Sequence, residues 1–247
     1  MLTKNWHVVH LESIDSTNAE AFRRAEAGAS PGLVVVADYQ SAGRGRLERT
    51  WESQPGSNLL VSLLFSPFPE VDQRWQIPAA VSLAMVRAVS RCCTVAVRCK
   101  WPNDLVVSGK KVAGVLTQMG TLSWGSEVMV VGIGVNCADA GPPGVGGICL
   151  NEVSDVSVTP TVLLETFLES LSELIESVVD PDHPEQILHL LPDSSDTLGK
   201  MVLVSHRDGR RREGRAVSID THGRLVIEST EGVFAVSEGD VEHLRPA

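Results

Sequence analysis

The run LVVVADY at residues 33–39 constrains the fold more than any other stretch of the chain. Its apolar residues are consecutive, so as a strand it has to be buried on both faces. Further strands are expected at NLLVSLLF (58–65), VAVRCKW (95–101) and EVMVVGIGVNC (127–137), after a short β-rich stretch at 7–12. LVV (105–107), the turn Ser108-Gly109-Lys110 and KVAGVLTQM (111–119) read as a β-hairpin. Helices are expected between them. Asp15-Ser16-Thr17-Asn18 supplies N-cap chemistry ahead of AEAFRRAEA, which stops at Gly28. Residues 76–91 carry apolar residues at helical spacing. Thr159-Pro160 opens a helix whose apolar stripe is Leu164, Phe167, Leu168, Leu171, Leu174, Ile175 and Val178, and a short helix follows near 184–191. Gly-, Arg- and Ser-rich residues 40–56 and Gly/Pro-rich 138–147 read as loops.

The pattern changes near residue 196. KMVLVSH, REGRAVSID, RLVIES and GVFAVSE are short strands at near-regular spacing, as in a small all-β barrel. The division expected is therefore 1–195 and 196–247, the second leaning on the first because about 50 residues bury little core alone. The 247 residues carry a formal net charge of -10, which speaks against a general nucleic-acid binder. Basic residues do cluster locally, at 44–49 and 207–215. The five cysteines, Cys92, Cys93, Cys99, Cys137 and Cys149, form no CxxC pair and read as reduced, buried small hydrophobes. With no signal-peptide core and no membrane-length apolar run, a cytoplasmic protein with no membrane partner is expected.

Two loops can carry chemistry. Gly43-Arg44-Gly45-Arg46 follows the buried strand; its glycines let backbone amides approach a ligand, and its arginines suit carboxylate or phosphate. Taken alone it is as consistent with a solvated basic turn. It is not a dinucleotide fingerprint, since Glu48 stands at the sixth place and no helix start follows. No P-loop sequence exists in the chain. Lys100-Trp101-Pro102-Asn103-Asp104 lies at a strand end, where sites in α/β folds tend to lie. Lys111, Ala113-Gly114 and Gly132-Ile133-Gly134-Val135-Asn136 follow, and glycines on neighbouring strands leave room for a ligand. His206-Arg207-Asp208 imitates a kinase catalytic loop, but Glu213 stands where that loop needs Asn.

In order, Ser16-Thr17-Asn18, the YQ-x-AGRGR-x-x-R-x-W loop, KWPND, the GKKVAG hairpin and GIGVN resemble the biotin protein ligases. The resemblance runs from about residue 8 to 137, and it implies an α/β (α+β) fold: a mixed β-sheet catalytic domain with flanking helices, then an SH3-like β-barrel. It also implies a ligase without the N-terminal DNA-binding half that some members carry, so no DNA partner. The implied chemistry uses ATP with Mg²⁺ as its complex and biotin as substrate. Biotinyl-AMP forms first, and a lysine of a biotin carboxyl carrier domain of a carboxylase then takes the biotinyl group. No protein metal site is implied; homodimerisation through a sheet edge stays open.

By this resemblance Ser16, Thr17, Asn18 and Gln40 meet the ureido ring of biotin. Gly43, Arg44, Gly45 and Arg46 close over biotin and phosphate, and Lys111 reaches the carboxylate and α-phosphate. Trp51 and Asn136 border the adenylate, and Asn103, Gly114 and Gly134 belong to the biotin and adenylate site. Asp104, supported by Lys100, favours the neutral amine of the acceptor; an unperturbed lysine is neutral in only roughly one molecule in 2,500 at pH 7. Glu48 departs from the Gly usual there, which puts the loop's conformation in question. The arginines at 207, 210, 211, 212 and 215 read as a solvated hairpin, or as a docking site for an acidic carrier or ATP phosphates. The rivals are a lipoate-type ligase or transferase, whose usual glycine and histidine motifs are absent, and a non-catalytic arginine-patch nucleic-acid-binding protein.

Overall fold

The computed structural model describes residues 5–67, 70–142, 147–178, 186–205, 210–237 and 239–243. The first sheet has seven strands: β1 (His7–Ile14), β2 (Leu33–Gln40), β3 (Leu59–Phe65), β4 (Arg98–Lys100), β5 (Asp104–Val107), β6 (Lys110–Thr121) and β7 (Glu127–Val135). Their spatial order is β1-β2-β3-β7-β6-β5-β4. β1 and β2 are parallel and the other pairs antiparallel, so the sheet is mixed, as expected. β1 and β2 are joined by helix α1 (Thr17–Glu26), the crossover that parallel neighbours require.

The all-apolar β2 is covered on both faces. Leu33 and Val35 pack with Ala21 and Ala25 of α1, whereas Val34 and Val36 belong to the larger core on the other side. That core is roofed by α2 (Gln76–Cys92), α4 (Pro160–Val178) and α5 (Gln186–Ser194); the one-turn α3 (Leu150–Val153) lies between β7 and α4. In α4 the buried residues are Leu163, Phe167, Leu171, Leu174 and Ile175. Leu164 and Leu168 are only half-buried, and the Val178 side chain lies outside what is described. VAVRCKW shrinks to the three residues of β4, since its upstream half pairs with no neighbouring strand.

The C-terminal strands are β8 (Met201–Ser205), β9 (Arg211–Ile219), β10 (Leu225–Ser229), β11 (Gly232–Val236) and an unexpected β12 (Asp240–His243). They form one antiparallel sheet in the order β11-β10-β9-β8-β12. Here the expected SH3-like barrel is corrected. β11 and β12 are the two outer strands and do not pair with each other among the described residues, so the sheet is open. One face buries Val202, Val204, Ala216, Leu225 and Ile227, with Trp101 of the first unit packed against them. That borrowed indole is how so few residues find enough core. Arg212 lies 3.4 Å above the Phe234 ring, and Arg215 donates to the Gly199 carbonyl at 2.8 Å. Arg207 and the His206-Arg207-Asp208 triplet fall outside the described residues.

All five cysteines are free. Burial pushes the Cys99 and Cys137 thiols up to about 12, and raises those of Cys93 and Cys149 as well. A thiol reacts as its thiolate. A maleimide at pH 8 is therefore expected to label half-buried Cys92 first in the native protein. Mass spectrometry of peptides checks this, and even labelling at all five positions would contradict it. No helix of the described chain is long and apolar enough to cross a membrane.

Candidate active site

The strand period of two places Gly132 and Gly134 of β7, Leu60 and Ser62 of β3, and Gly114 and Leu116 of β6 on one face. This is the face on which α1 packs, and α1 covers only part of it. Beyond the N-terminus of α1 the bare glycine rungs leave an open cleft. Arg23 reaches back to Asp15 at 2.6 Å and holds its carboxyl down at about 2, which braces the turn carrying Ser16, Thr17 and Asn18.

The two ends of the cleft differ in character. One end is neutral and polar. Thr17 N–H donates to Gln40 Oε1 at 2.8 Å, and the Thr17 hydroxyl oxygen lies 3.0 Å from the same atom. Asn18 Nδ2 donates to Gln118 Oε1 at 2.8 Å, and its Oδ1 sits where a Gly132 side chain would be. The other end is cationic. Lys111 Nζ lies 2.7 Å from Asp104 Oδ1 and 5.6 Å from the Trp51 ring centroid. Asp104 is opposite Gly114 in the β5–β6 register, so the lysine stem runs forward along its own strand to Gly114 to reach it. A Cβ at Gly114 would lie 3.0 Å from Nζ, which explains the glycine. Arg46 donates to Asn103 Oδ1 at 2.8 Å, and Asn103 Nδ2 to the Val115 carbonyl at 3.0 Å. Trp51 covers Gly114 and Gly134, and a Cβ on Gly134 would collide with its indole. The Trp51 Nε1–H is buried without a hydrogen-bond partner.

The Gly-Arg loop curls back on itself. Gly45 N–H donates to the Arg49 carbonyl at 2.7 Å and Trp51 N–H to the Gly43 carbonyl at 3.0 Å. Leu47 takes φ 57, a left-handed conformation for a non-glycine residue. The backbone at Glu48 completes this turn, but its side chain is outside what is described.

Most sequence candidates meet at this cleft: Ser16, Thr17, Asn18, Gln40, Arg44, Gly45, Arg46, Trp51, Asn103, Lys111, Gly114 and Gly134 line it. Four are placed differently. Gly43 is buried under the Trp51 carbonyl, where any side chain would clash. Asp104 touches the cleft through Lys111. Lys100 lines a neighbouring cavity between the two sheets. Asn136 is buried just past β7 and donates to the Ile148 carbonyl at 3.2 Å, fastening the loop after β7. Sequence reading passed over Ser62 and Gln118, which hold Asn18. Gln118 was findable as the polar residue in register with the glycine-bearing strand.

Comparison with known proteins gives this cleft a context. The profile of the biotin/lipoate A/B protein ligase family matches residues 10–136. The chain belongs to that family. Residues 197–244 match the biotin protein ligase C-terminal domain. Among curated relatives, a biotin–[acetyl-CoA-carboxylase] ligase of Mycobacterium tuberculosis is 30% identical, covering 93% of this chain and 86% of the relative. A bifunctional ligase/repressor BirA of Bacillus spizizenii is 28% identical over 96% of this chain and 74% of its own. Among solved structures, the Aquifex aeolicus biotin protein ligase in complex with biotin and ATP superposes with a TM-score of 0.78 at 26% identity, covering 97% of this chain and 99% of that one.

Proposed function

We propose that the protein is a biotin protein ligase, which activates biotin as biotinyl-AMP with ATP and transfers the biotinyl group to a lysine of a carrier protein. The observation that carries this reading is the two-ended cleft of a family member. A neutral hydrogen-bonding end suits a cyclic urea, which both donates and accepts. The cationic end suits a carboxylate brought against a triphosphate. Those two anions repel, and Lys111 with Arg46 offsets the repulsion and stabilises charge that builds in the transition state. Mg²⁺ enters as the ATP complex, part of the substrate; among the described residues no His/Cys/Asp/Glu group is arranged to hold a metal. The buried Trp51 N–H is a donor that a bound adenylate satisfies.

The second step needs a neutral amine. Asp104 holds Lys111 at 2.7 Å at the cationic end of the cleft, and as a carboxylate there it orients or deprotonates the incoming lysine. The catalytic unit is residues 1–195, with 196–247 attached through Trp75 and Trp101. The acceptor is a biotin carboxyl carrier domain of a carboxylase. The deciding measurement is ATP–pyrophosphate exchange with biotin, with lipoate, or with neither. Exchange that responds to biotin is expected; exchange with lipoate alone, or none, would overturn the reading.

A further inference from the structure

Beneath the neutral end of the cleft lies a hydroxyl that the chemistry above does not use. Ser62 is the polar residue of the otherwise apolar β3, and it is fully buried. Its Oγ lies 2.6 Å from Asn18 Oδ1 and 2.7 Å from Thr17 Oγ1. Counting protons sets the direction of these bonds. Asn18 spends its amide hydrogens on Gln118 Oε1 at 2.8 Å and the Leu116 carbonyl at 3.4 Å, so its oxygen faces Ser62 and can only accept. Ser62 therefore donates to Asn18 and, with its one hydrogen spent, accepts from the Thr17 hydroxyl. Thr17 in turn directs its N–H at Gln40 Oε1, which leaves Gln40 Nε2 as the donor presented to the cleft. The missing side chain of Gly132, the register partner of Ser62, makes the space in which the Asn18 carboxamide sits.

We infer that Ser62 is a positioning residue for ligand recognition: from below the cleft floor it fixes the Asn18 carboxamide and the Thr17 hydroxyl, and so sets the donor and acceptor pattern offered to the urea end of biotin. The inference rests on the biotin reading above. Ser62 touches no reacting atom, so its contribution is to binding that is equal in ground and transition states. Removing such binding raises KM and leaves kcat alone.

The test is exchange kinetics on the full chain with biotin and ATP varied separately. Ser62→Ala leaves a buried acceptor unmet, and the biotin KM is expected to rise about tenfold. The ATP KM and kcat are expected to stay within about twofold, because the cationic end is untouched. Gln118→Ala releases Asn18 from its other side at a half-buried position and is expected to shift the biotin KM in the same direction. The double variant should be less than additive, since both act through Asn18. An unchanged biotin KM in both variants would overturn the inference. So would biotin and ATP KM rising together with a falling Tm, the mark of general loosening. Absence of biotin-dependent exchange in the unaltered protein would overturn this inference and the functional reading together; normal exchange with unmoved variants overturns this one alone.

Discussion

Lys111→Ala is expected to slow biotin-dependent ATP–pyrophosphate exchange by about a hundredfold or more, the usual loss when one preorganised charge-stabilising donor is removed. The ammonium is held at the cationic end of the cleft by Asp104 at 2.7 Å, with the Trp51 ring beneath it at 5.6 Å. It is thus ordered before any ligand binds, and bringing it to the reacting oxygens needs no rearrangement of the strand. Stability should barely move. The side chains of the pair are 38% and 28% exposed, so solvent screens them and the pair contributes only about 0–1 kcal/mol. A Tm within about two degrees of the parent, with exchange lost, would therefore locate the defect in the chemistry. Asp104→Ala separates the two steps. With preformed biotinyl-AMP its transfer to carrier should fall at least about a hundredfold, the low end of what general acid–base groups supply. A normal transfer rate would remove Asp104 from that step, and normal exchange in Lys111→Ala would remove Lys111 from the first.

How far the sequence foretold this site depends on which contacts are local. β2 was legible because Leu33 through Val36 are buried in succession, odd residues under α1 and even ones under the larger core. The hairpin around Ser108-Gly109 was legible because Ser108 (φ 49) and Gly109 (φ 78) need left-handed geometry, and the turn residues announce it. Asn136 misled. It continues the parity of Gly132 and Gly134, but β7 ends at Val135 and the chain turns, so its amide serves the 140–148 loop. Ser62 was invisible. One serine in an apolar strand says nothing until α1 crosses above it. Barrel closure was invisible too, because it depends on whether two distant edge strands meet, which no local pattern encodes. The conformation of the Gly-Arg loop hangs on Leu47 at φ 57, a geometry that leucine does not advertise.

Gly223→Ala is expected to cut carrier transfer by about tenfold to a hundredfold, although it lies in the C-terminal sheet, because sub-ångström to 1 Å misplacement of catalytic groups carries such costs. The turn between β9 and β10 is gripped by two indoles. Trp75 Nε1 donates to the Thr221 carbonyl at 3.0 Å and Trp101 Nε1 to the Gly223 carbonyl at 3.2 Å. Trp101 N–H is fixed in turn by Thr197 Oγ1 at 3.0 Å. Two residues on, Asn103 takes Arg46 at 2.8 Å, and Asp104 follows. The C-terminal sheet thus holds the strand end that carries Asp104, the residue proposed for the second step. A methyl at Gly223 would sit 2.7 Å from the Trp75 ring, and φ 75 adds a left-handed strain of about 1–2 kcal/mol. Tm should drop by several degrees on that account alone. Gly125→Ala isolates the strain, since Gly125 has φ 92 but nothing within 4 Å of a new Cβ. It should lower Tm and leave transfer intact. Biotin KM should hold in Gly223→Ala, because Thr17 and Asn18 are fastened to β3 and β6, and Gln40 of β2 to Thr17, rather than to this turn. If Gly223→Ala loses Tm as Gly125→Ala does and still transfers at the parent rate, the C-terminal sheet does not position the strand end.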